Sequence, residues 1–487
     1  MAPGSPLALG DLARRLAEAS ALRQAGRWVE ACAAYEEVLA ADPGLADSWF
    51  NLALCRRRAR RFEAALDAYA QALIHGVTGP SEDHLNRAVI LSEDLDQPDA
   101  ALAELERAVA LDSDYLPAWL NLGNLHEDRG ERDAARLAYE QALRIAPDHP
   151  LGLARLAGVT RFDAPDDALI ARMTARRADA RLDPENRADL EFALGRALDS
   201  VGAYDAAFDT YARANHAQAL GWGVRYDPSV AERLIDDLIA VYAKPAPSAD
   251  PADASPAPLF ICGHFRSGST LAERLLAGHP QVTPGGELDT LPALEHQLGG
   301  PVAAASAPQG RIVEAASTYR AEVARTRPGP GLLIDKRPDN VLRLGLAKQL
   351  FPAARIVLTR RDPRDVVLSN WMLQLGPAAP QALTLEAMAH WVRQIDRLTD
   401  HWLRLWPDDI LVLDYDALVR DPETHARRLL TFAGLSWRAE VLDFADRPGA
   451  VRTASVWQVR EPLYTRSSGR WRRYAHRLPP DVLALGD

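Results

Sequence analysis

Four stretches in the first third of the chain can be laid over one another: EACAAYEEVLAADP at 30–43, EAALDAYAQALIHG at 63–76, AALAELERAVALDS at 100–113 and DAARLAYEQALRIAP at 133–147. Tyr35, Tyr69, Leu105 and Tyr139 then share one position, spaced 34, 36 and 34 residues apart. That period is the length of a helix–turn–helix unit. A helix pair cannot bury its apolar stripe alone, so such units stack and acquire a continuous core and a concave groove. Trp49-x-x-Leu52-Ala53 and Trp119-x-x-Leu122-Gly123 put an aromatic and two small or apolar residues on one helical face. Ala64, Ala72, Ala134 and Ala142 let neighbouring helices approach, and Pro43 and Pro147 close their units. After an off-pattern segment, 192–215 carries Ala206, Tyr211 and Ala214 at the same offsets. An all-α array is therefore expected over residues 12–220, with the repeated tyrosines as packing residues. Its groove would hold a peptide or partner protein, or else the array only scaffolds the second half of the chain.

The pattern breaks at AKPAPSADPADASPAP (243–258), which cannot sustain a helix, so 221–257 read as connector and linker. Beyond it, short apolar runs alternate with helical stretches: PLFICG (258–263), GLLIDK (331–336), ARIVLTRR (354–361) and ILVLDY (410–415). The alternation predicts an α/β domain over 258–487, a parallel sheet with helices on both faces and ligands at the carboxyl ends of the strands. A chain of 487 residues accommodates both domains. Its net charge of −11 offers no field to gather nucleic acid or an anionic membrane surface. Cys32, Cys55 and Cys262 are widely separated, so neither a disulfide framework nor a zinc knuckle is expected, which suits a reducing compartment. MAPGSPLALGDLARR lacks the layout of a secretory signal, and no stretch approaches the roughly 18 apolar residues of a spanning helix; a cytoplasmic protein is expected.

GHFRSGST (263–270) succeeds the first apolar run with the spacing of a nucleotide phosphate loop, but Ser269 stands where the lysine belongs. Gly263 and Gly268 permit close backbone approach, and the helix start near Ser269 offers N–H groups and a positive dipole end to an anion. Arg266 adds a cation, and Ser267, Ser269 and Thr270 add hydroxyl donors. The same residues would also make a plain glycine turn with a Ser or Thr cap. A kinase or NTPase needs the missing lysine and an acidic partner for Mg²⁺. This loop suits a nucleotide with a shorter 5′ chain and a transfer that needs no metal. A second anion site is expected where Arg360-Arg361-Asp362-Pro363-Arg364-Asp365 leads into a helix carrying Ser369, the other reading being a solvated, self-paired cluster. Two such sites on neighbouring strand ends fit one ligand with separate phosphates.

Taken in order, FICGHFRSGSTLAERLLAGHPQV, KRPDNVLRLGLAKQLFPAARIVLTRRDPRDVVLS and TASVWQVREPLYTRSSGRWRRY resemble the sulfotransferase family, especially tetratricopeptide-repeat and protein-tyrosine sulfotransferases. The resemblance covers about residues 258–480, and the 34-residue units likewise resemble tetratricopeptide repeats. It implies 3′-phosphoadenosine 5′-phosphosulfate (PAPS) as the sulfuryl donor. By this similarity the 5′-phosphosulfate falls to Arg266, Ser267, Gly268, Ser269 and Thr270, and the 3′-phosphate to Arg361 and Ser369. Glu287, in TPGGELDTL, matches the base of tyrosine sulfotransferases. Lys336 and Ser455 match residues that steady the sulfuryl group and its leaving oxygen, and Arg470 matches a basic nucleotide contact. Phe265 replaces a common proline and Ser269 a usual threonine; neither change removes a donor group. Other sulfotransferases use a histidine base, for which His264 and His390 are the alternatives.

The implied reaction is sulfuryl transfer to an acceptor hydroxyl, foremost a tyrosine of a peptide or protein presented along the groove. A small-molecule or saccharide hydroxyl is the second reading, and a non-catalytic adaptor the third. Retention of the matched polar residues argues against the adaptor. The oligomeric state is not written in the repeats.

Overall fold

The computed structural model describes residues 9–245, 257–444 and 467–486, and the chain divides into two compact units between Thr160 and Arg161. In the first unit the helices pair as the period requires: Leu9–Gln24 with Trp28–Ala41, Ala46–Arg58 with Phe62–Ile74, Pro80–Val89 with Pro98–Leu111, and Leu116–Arg129 with Arg132–Ile145. Tyr35, Tyr69, Leu105 and Tyr139 lie on the second helix of each pair and are at most 3% exposed. Close approach explains the small residue opposite: a Cβ on Gly123 would stand 2.2 Å from the Tyr139 ring. The longer 36-residue interval falls in the unit whose first helix ends in a π-turn, Ile90–Asp94, which winds extra residues into the helix. In the same unit Asp83 is fully buried and neither carboxyl oxygen has a hydrogen-bond partner among the described residues. Burial pushes its pKa up to about 7.

The second unit holds the expected parallel sheet. Its strands are β1 Leu259–Gly263, β2 Val282–Pro284, β3 Leu332–Lys336, β4 Arg355–Arg360 and β5 Ile410–Asp414, in the order β2-β3-β1-β4-β5 with all neighbours parallel. Every residue of β1 is buried, because alternate side chains feed two cores. Phe260 and Cys262 pack with Tyr319, Phe351 and Trp402 on one face; Leu259 and Ile261 pack with Leu271, Leu275 and Leu429 on the other. With β3 on one side and β4 on the other, β1 ends at a crevice where loops from both neighbours converge.

Two segments sit differently from the sequence reading. The pair Pro184–Ser200 and Tyr204–Trp222 repeats the packing of the array, with a Cβ on Gly195 meeting Tyr211 at 2.9 Å, yet it belongs to the second unit. Its Phe208 and Tyr211 share a core with Trp371 and Tyr474, and Asn215 Nδ2 donates to the Trp371 carbonyl at 2.8 Å. Residues read as connector form the helix Pro228–Val241, whose Ile235 and Leu238, together with the adjoining Tyr242, enter the sheet core. Tyr242 lies against Gly345 and donates to Gln349 Oε1 at 2.8 Å. An i, i+3 apolar stripe drives that burial. Among the described residues no helix is long and apolar enough to cross a membrane.

Candidate functional site

The loop after β1 is shaped by two glycines and one unusual arginine. Gly263 has φ +141°, and a Cβ there would lie 2.4 Å from the Thr359 carbonyl oxygen. Gly268 has φ +101°, and a Cβ there would lie 2.6 Å from the Tyr415 ring. Arg266 itself adopts φ +70°, a conformation that costs a non-glycine residue about 1–2 kcal/mol. The helix Ser269–Leu276 starts directly behind, its first intrahelical bond running from Ala272 N–H to the Gly268 carbonyl. The amides of Ser269, Thr270 and Leu271 lie ahead of that bond and have no partner within the helix, as at any helix start.

The two anion sites expected at separate strand ends are joined into one cationic cluster. Arg266 Nε donates to Ser369 Oγ at 3.2 Å, reaching the helix Pro363–Trp371 at the end of β4. Arg361 donates to the Arg266 carbonyl at 3.1 Å and to the Ser467 carbonyl, and its guanidinium lies 5.0 Å from the Tyr415 ring centroid. Its buried Nε has no hydrogen-bond partner among the described residues. Neighbouring strands about 4.8 Å apart bring these groups together once the left-handed turn at Arg266 aims its side chain sideways.

Ser267 contributes differently. Its amide and its hydroxyl both donate to the His264 carbonyl, at 3.2 and 2.6 Å, and its Oγ lies 2.6 Å from Thr359 Oγ1. The residue holds the loop closed instead of turning a hydroxyl outward. Asn370 adds a second tie, donating to the Phe265 carbonyl at 3.0 Å. Asp365, fully buried, accepts from the amides of Gly469 and Trp471 at 2.6 and 2.8 Å and lies 3.6 Å from Arg361. Burial pushes its carboxyl above the ordinary range while Arg361 pulls the other way. Sequence reading passed over Thr359 and Asn370, because each acts through a partner remote in the chain, and it named Asp365 only as a member of the Arg/Asp run.

On the other side of β1, the end of β3 carries Lys336, 1% exposed. Lys336 Nζ donates to Glu287 Oε1 at 2.6 Å, and a second carboxylate, Glu273 Oε2, stands 4.0 Å away. The Glu287 side chain is 39% exposed, so it is reachable from solvent. The stretch Gly285-Gly286 is stitched onto β3 by Gly285 N–H to the Ile334 carbonyl at 2.8 Å and Lys336 N–H to the Gly286 carbonyl at 3.0 Å. This fixes where Glu287 emerges. On the opposite face of β3, Asp335 accepts from Tyr319 and Asn340 and is held by burial at a pKa of about 7.

Three of the remaining candidates are committed to other partners. Arg470 forms a 2.8 Å ion pair with Asp199 of the repeat-like pair, which also accepts from the Tyr474 hydroxyl. Burial works against the Arg470 charge, and Asp199 more than offsets it, leaving the pKa raised. His264 bonds Asp396 through Nε2 at 2.9 Å, and His390 bonds Tyr226 and Glu232 at 2.8 and 3.1 Å. Ser455 lies outside the described residues.

Residues 258–439 match the model of the sulfotransferase family, and residues 16–82 and 90–150 match a tetratricopeptide-repeat model. The second unit thus carries a sulfotransferase-family domain and the first carries tetratricopeptide repeats. An uncharacterized protein of Aquifex aeolicus (strain VF5) is 28% identical over 373 residues, 73% of this chain and 48% of that protein. Protein-tyrosine sulfotransferase 1 of Homo sapiens is 26% identical over 245 residues, 46% of this chain and 65% of that protein. The chain spans about half to two thirds of the length of these relatives. Among solved structures, the sulfotransferase domain from the curacin biosynthetic pathway is 19% identical with a TM-score of 0.36, covering 47% of this chain and 96% of that domain.

Proposed function

We propose that the second unit transfers a sulfuryl group from PAPS to an acceptor hydroxyl, foremost that of a tyrosine in a peptide or protein. The observation that carries this reading is the pair of unlike sites flanking β1: a cationic cluster of Arg266 and Arg361, and the Lys336–Glu287 pair. A nucleotide with phosphate at both its 3′ and 5′ positions fits the first. The buried Arg361 Nε, which has no hydrogen-bond partner among the described residues, is a donor in need of an acceptor, and the glycines at 263 and 268 let the loop pack tightly against Thr359 and Tyr415. Ser369 joins Arg361 on the 3′-phosphate, and Ser269 and Thr270 with the helix start face the 5′ end. The donor supplies the sulfuryl group, and its sulfur–oxygen bond to the 5′-phosphate is the bond that breaks.

Glu287 takes the proton of the acceptor hydroxyl as that oxygen forms its bond to sulfur, and the electron pair of the broken bond stays on the phosphate oxygen. Lys336 and the amides at the Ser269 helix start stabilise the charge developing there. Ser455 is assigned to the same oxygen by resemblance alone. Arg470, committed to Asp199, is assigned to anchoring the carboxyl-terminal segment instead of the nucleotide. The repeats of the first unit are assigned to presenting the acceptor. The three free, buried cysteines support a cytoplasmic setting.

The test is binding of adenosine 3′,5′-bisphosphate, then labelled-sulfate transfer from PAPS to a tyrosine-peptide panel and to a panel of phenols and sugars. Nucleotide binding with turnover of peptides supports the reading. Turnover confined to phenols or sugars replaces the acceptor class, and a protein that binds no bisphosphate sinks the proposal.

A further inference from the structure

Glu273 lies on the second turn of the helix behind the phosphate loop, in the stretch STLAERLL, where its neighbours Leu271, Ala272, Leu275 and Leu276 are all core residues. A carboxylate in such a place needs partners, since burying a charge unpaired is costly. It has two, and both belong to the proton-handling side of the site. Oε1 accepts the Gly286 amide at 2.9 Å, and Oε2 stands 4.0 Å from Lys336 Nζ. Gly286 is thereby held through both its polar groups, its amide by Glu273 and its carbonyl by the Lys336 amide at 3.0 Å. With φ at +68° this peptide turns the chain so that the next residue, Glu287, meets Lys336.

The charges facing Glu273 are Lys336 from β3, Glu287 from the loop after β2, Arg274 on its own helix, and Asp335 more remotely. A buried ammonium between two carboxylates carries a surplus negative charge until one of them is protonated. When Glu287 accepts the acceptor's proton, the Lys336–Glu287 ion pair is lost, and the buried ammonium is left facing Glu273.

We propose that Glu273 is a positioning residue of the transfer site: it fixes the Gly286 peptide so that Glu287 is aimed, and it holds the counter-charge of Lys336 once Glu287 is neutralised. The inference rests on the reading of Glu287 as base and Lys336 as charge stabiliser. It links the phosphate-loop helix mechanically to the base loop, so that the two halves of the site are set by one side chain. Burial raises the Glu273 pKa and Lys336 opposes the rise, the pattern of an acid whose charge depends on that lysine.

The experiment compares the full chain with Glu273→Gln and Glu273→Ala, measuring adenosine 3′,5′-bisphosphate binding, thermal unfolding, and the pH dependence of PAPS turnover with an acceptor and of PAPS hydrolysis without one. Bisphosphate affinity is expected to stay within about twofold in both variants. Turnover should fall roughly 10- to 100-fold in Glu273→Ala, and Glu273→Gln, which keeps an acceptor for the Gly286 amide, should recover part of the loss. Both variants should show an alkaline limb moved to lower pH, because a negative charge has been removed from the buried site. Unchanged turnover with an unmoved limb would overturn the inference, as would a turnover loss matched by an equal loss of bisphosphate affinity. If Glu273→Ala does not fold, Glu273→Gln decides through the same limb. A wild-type protein that neither binds the bisphosphate nor consumes PAPS would instead overturn the sulfotransfer reading itself.

Discussion

The two sides of β1 treat charge in opposite ways. Toward β4, the Arg266 and Arg361 side chains reach a hydroxyl and main-chain carbonyls, with Asp365 standing 3.6 Å from Arg361. Toward β3, a buried lysine is matched by two carboxylates. A guanidinium cluster suits an anion, and a buried lysine facing two carboxylates suits the movement of a proton. On the proposed function, one strand separates a site for affinity from a site for rate, and substitutions on the two sides should fail in different measurements.

The sharpest way to break that division is Glu287→Ala. Turnover of PAPS is expected to fall by about 10²–10⁴ while bisphosphate affinity is retained, since a placed base contributes on that scale. An undiminished rate would remove the β3 side from catalysis. The converse substitution, Arg361→Ala, should weaken the bisphosphate about 10- to 100-fold in a calorimetric titration, as loss of a charged hydrogen bond costs roughly 1.5–3 kcal/mol. Equal affinity in variant and wild type would show that the β4 side holds no phosphate. Gly268→Ala adds a side chain 2.6 Å from Tyr415 at φ +101°, and should lower stability by about 1–3 kcal/mol in a thermal melt while weakening the nucleotide as well.

Asp83 in the first unit is the control for the β3 side, a buried acid with no cation bonded to it among the described residues. Its folded pKa lies above its unfolded value, so its contribution is full below the ordinary carboxylate range and is lost as pH rises toward about 7, beyond which the loss levels off. Asp83→Asn should therefore stabilise the repeats more at pH 8 than at pH 5 in denaturant titrations, by an amount on the order of 1 kcal/mol or more. A difference that does not grow with pH would mean the acid finds a partner in solution.

What could be read from sequence was whatever repeats or directly succeeds a strand. The shared position of Tyr35, Tyr69 and Tyr139 declared the array, because each is buried in the core of its helix pair, Tyr139 against Gly123. Gly263, Arg266 and Gly268 declared a loop, because such spacing has few other uses. The pairing of Arg470 with Asp199 was not legible, since an ion pair between distant segments leaves no local pattern. Nor was the inward turn of the Ser267 hydroxyl, which depends on the loop's own carbonyl at His264. Glu273 did leave a trace, an acid inside an otherwise apolar turn, but only the closeness of Gly286 and Lys336 gives it a meaning. The boundary at Thr160 was hidden for a related reason: Gly195 and Tyr211 copy the array's internal packing, while the outward choice of Phe208 and Asn215 commits that pair to Trp371.

That commitment dictates how the molecule can be cut. Asp199, Asp205 and Asp209 on the repeat-like pair grip Arg470, Tyr474, His476 and Arg477, and Asp365 grips Gly469 and Trp471 from beside the Arg266–Arg361 cluster. Excising everything before the Pro/Ala-rich linker would strip the final segment of its acidic clasp and bare the aromatic surface of Trp371. A shortened protein should begin near residue 161, carrying its last helical hairpin along as an integral brace.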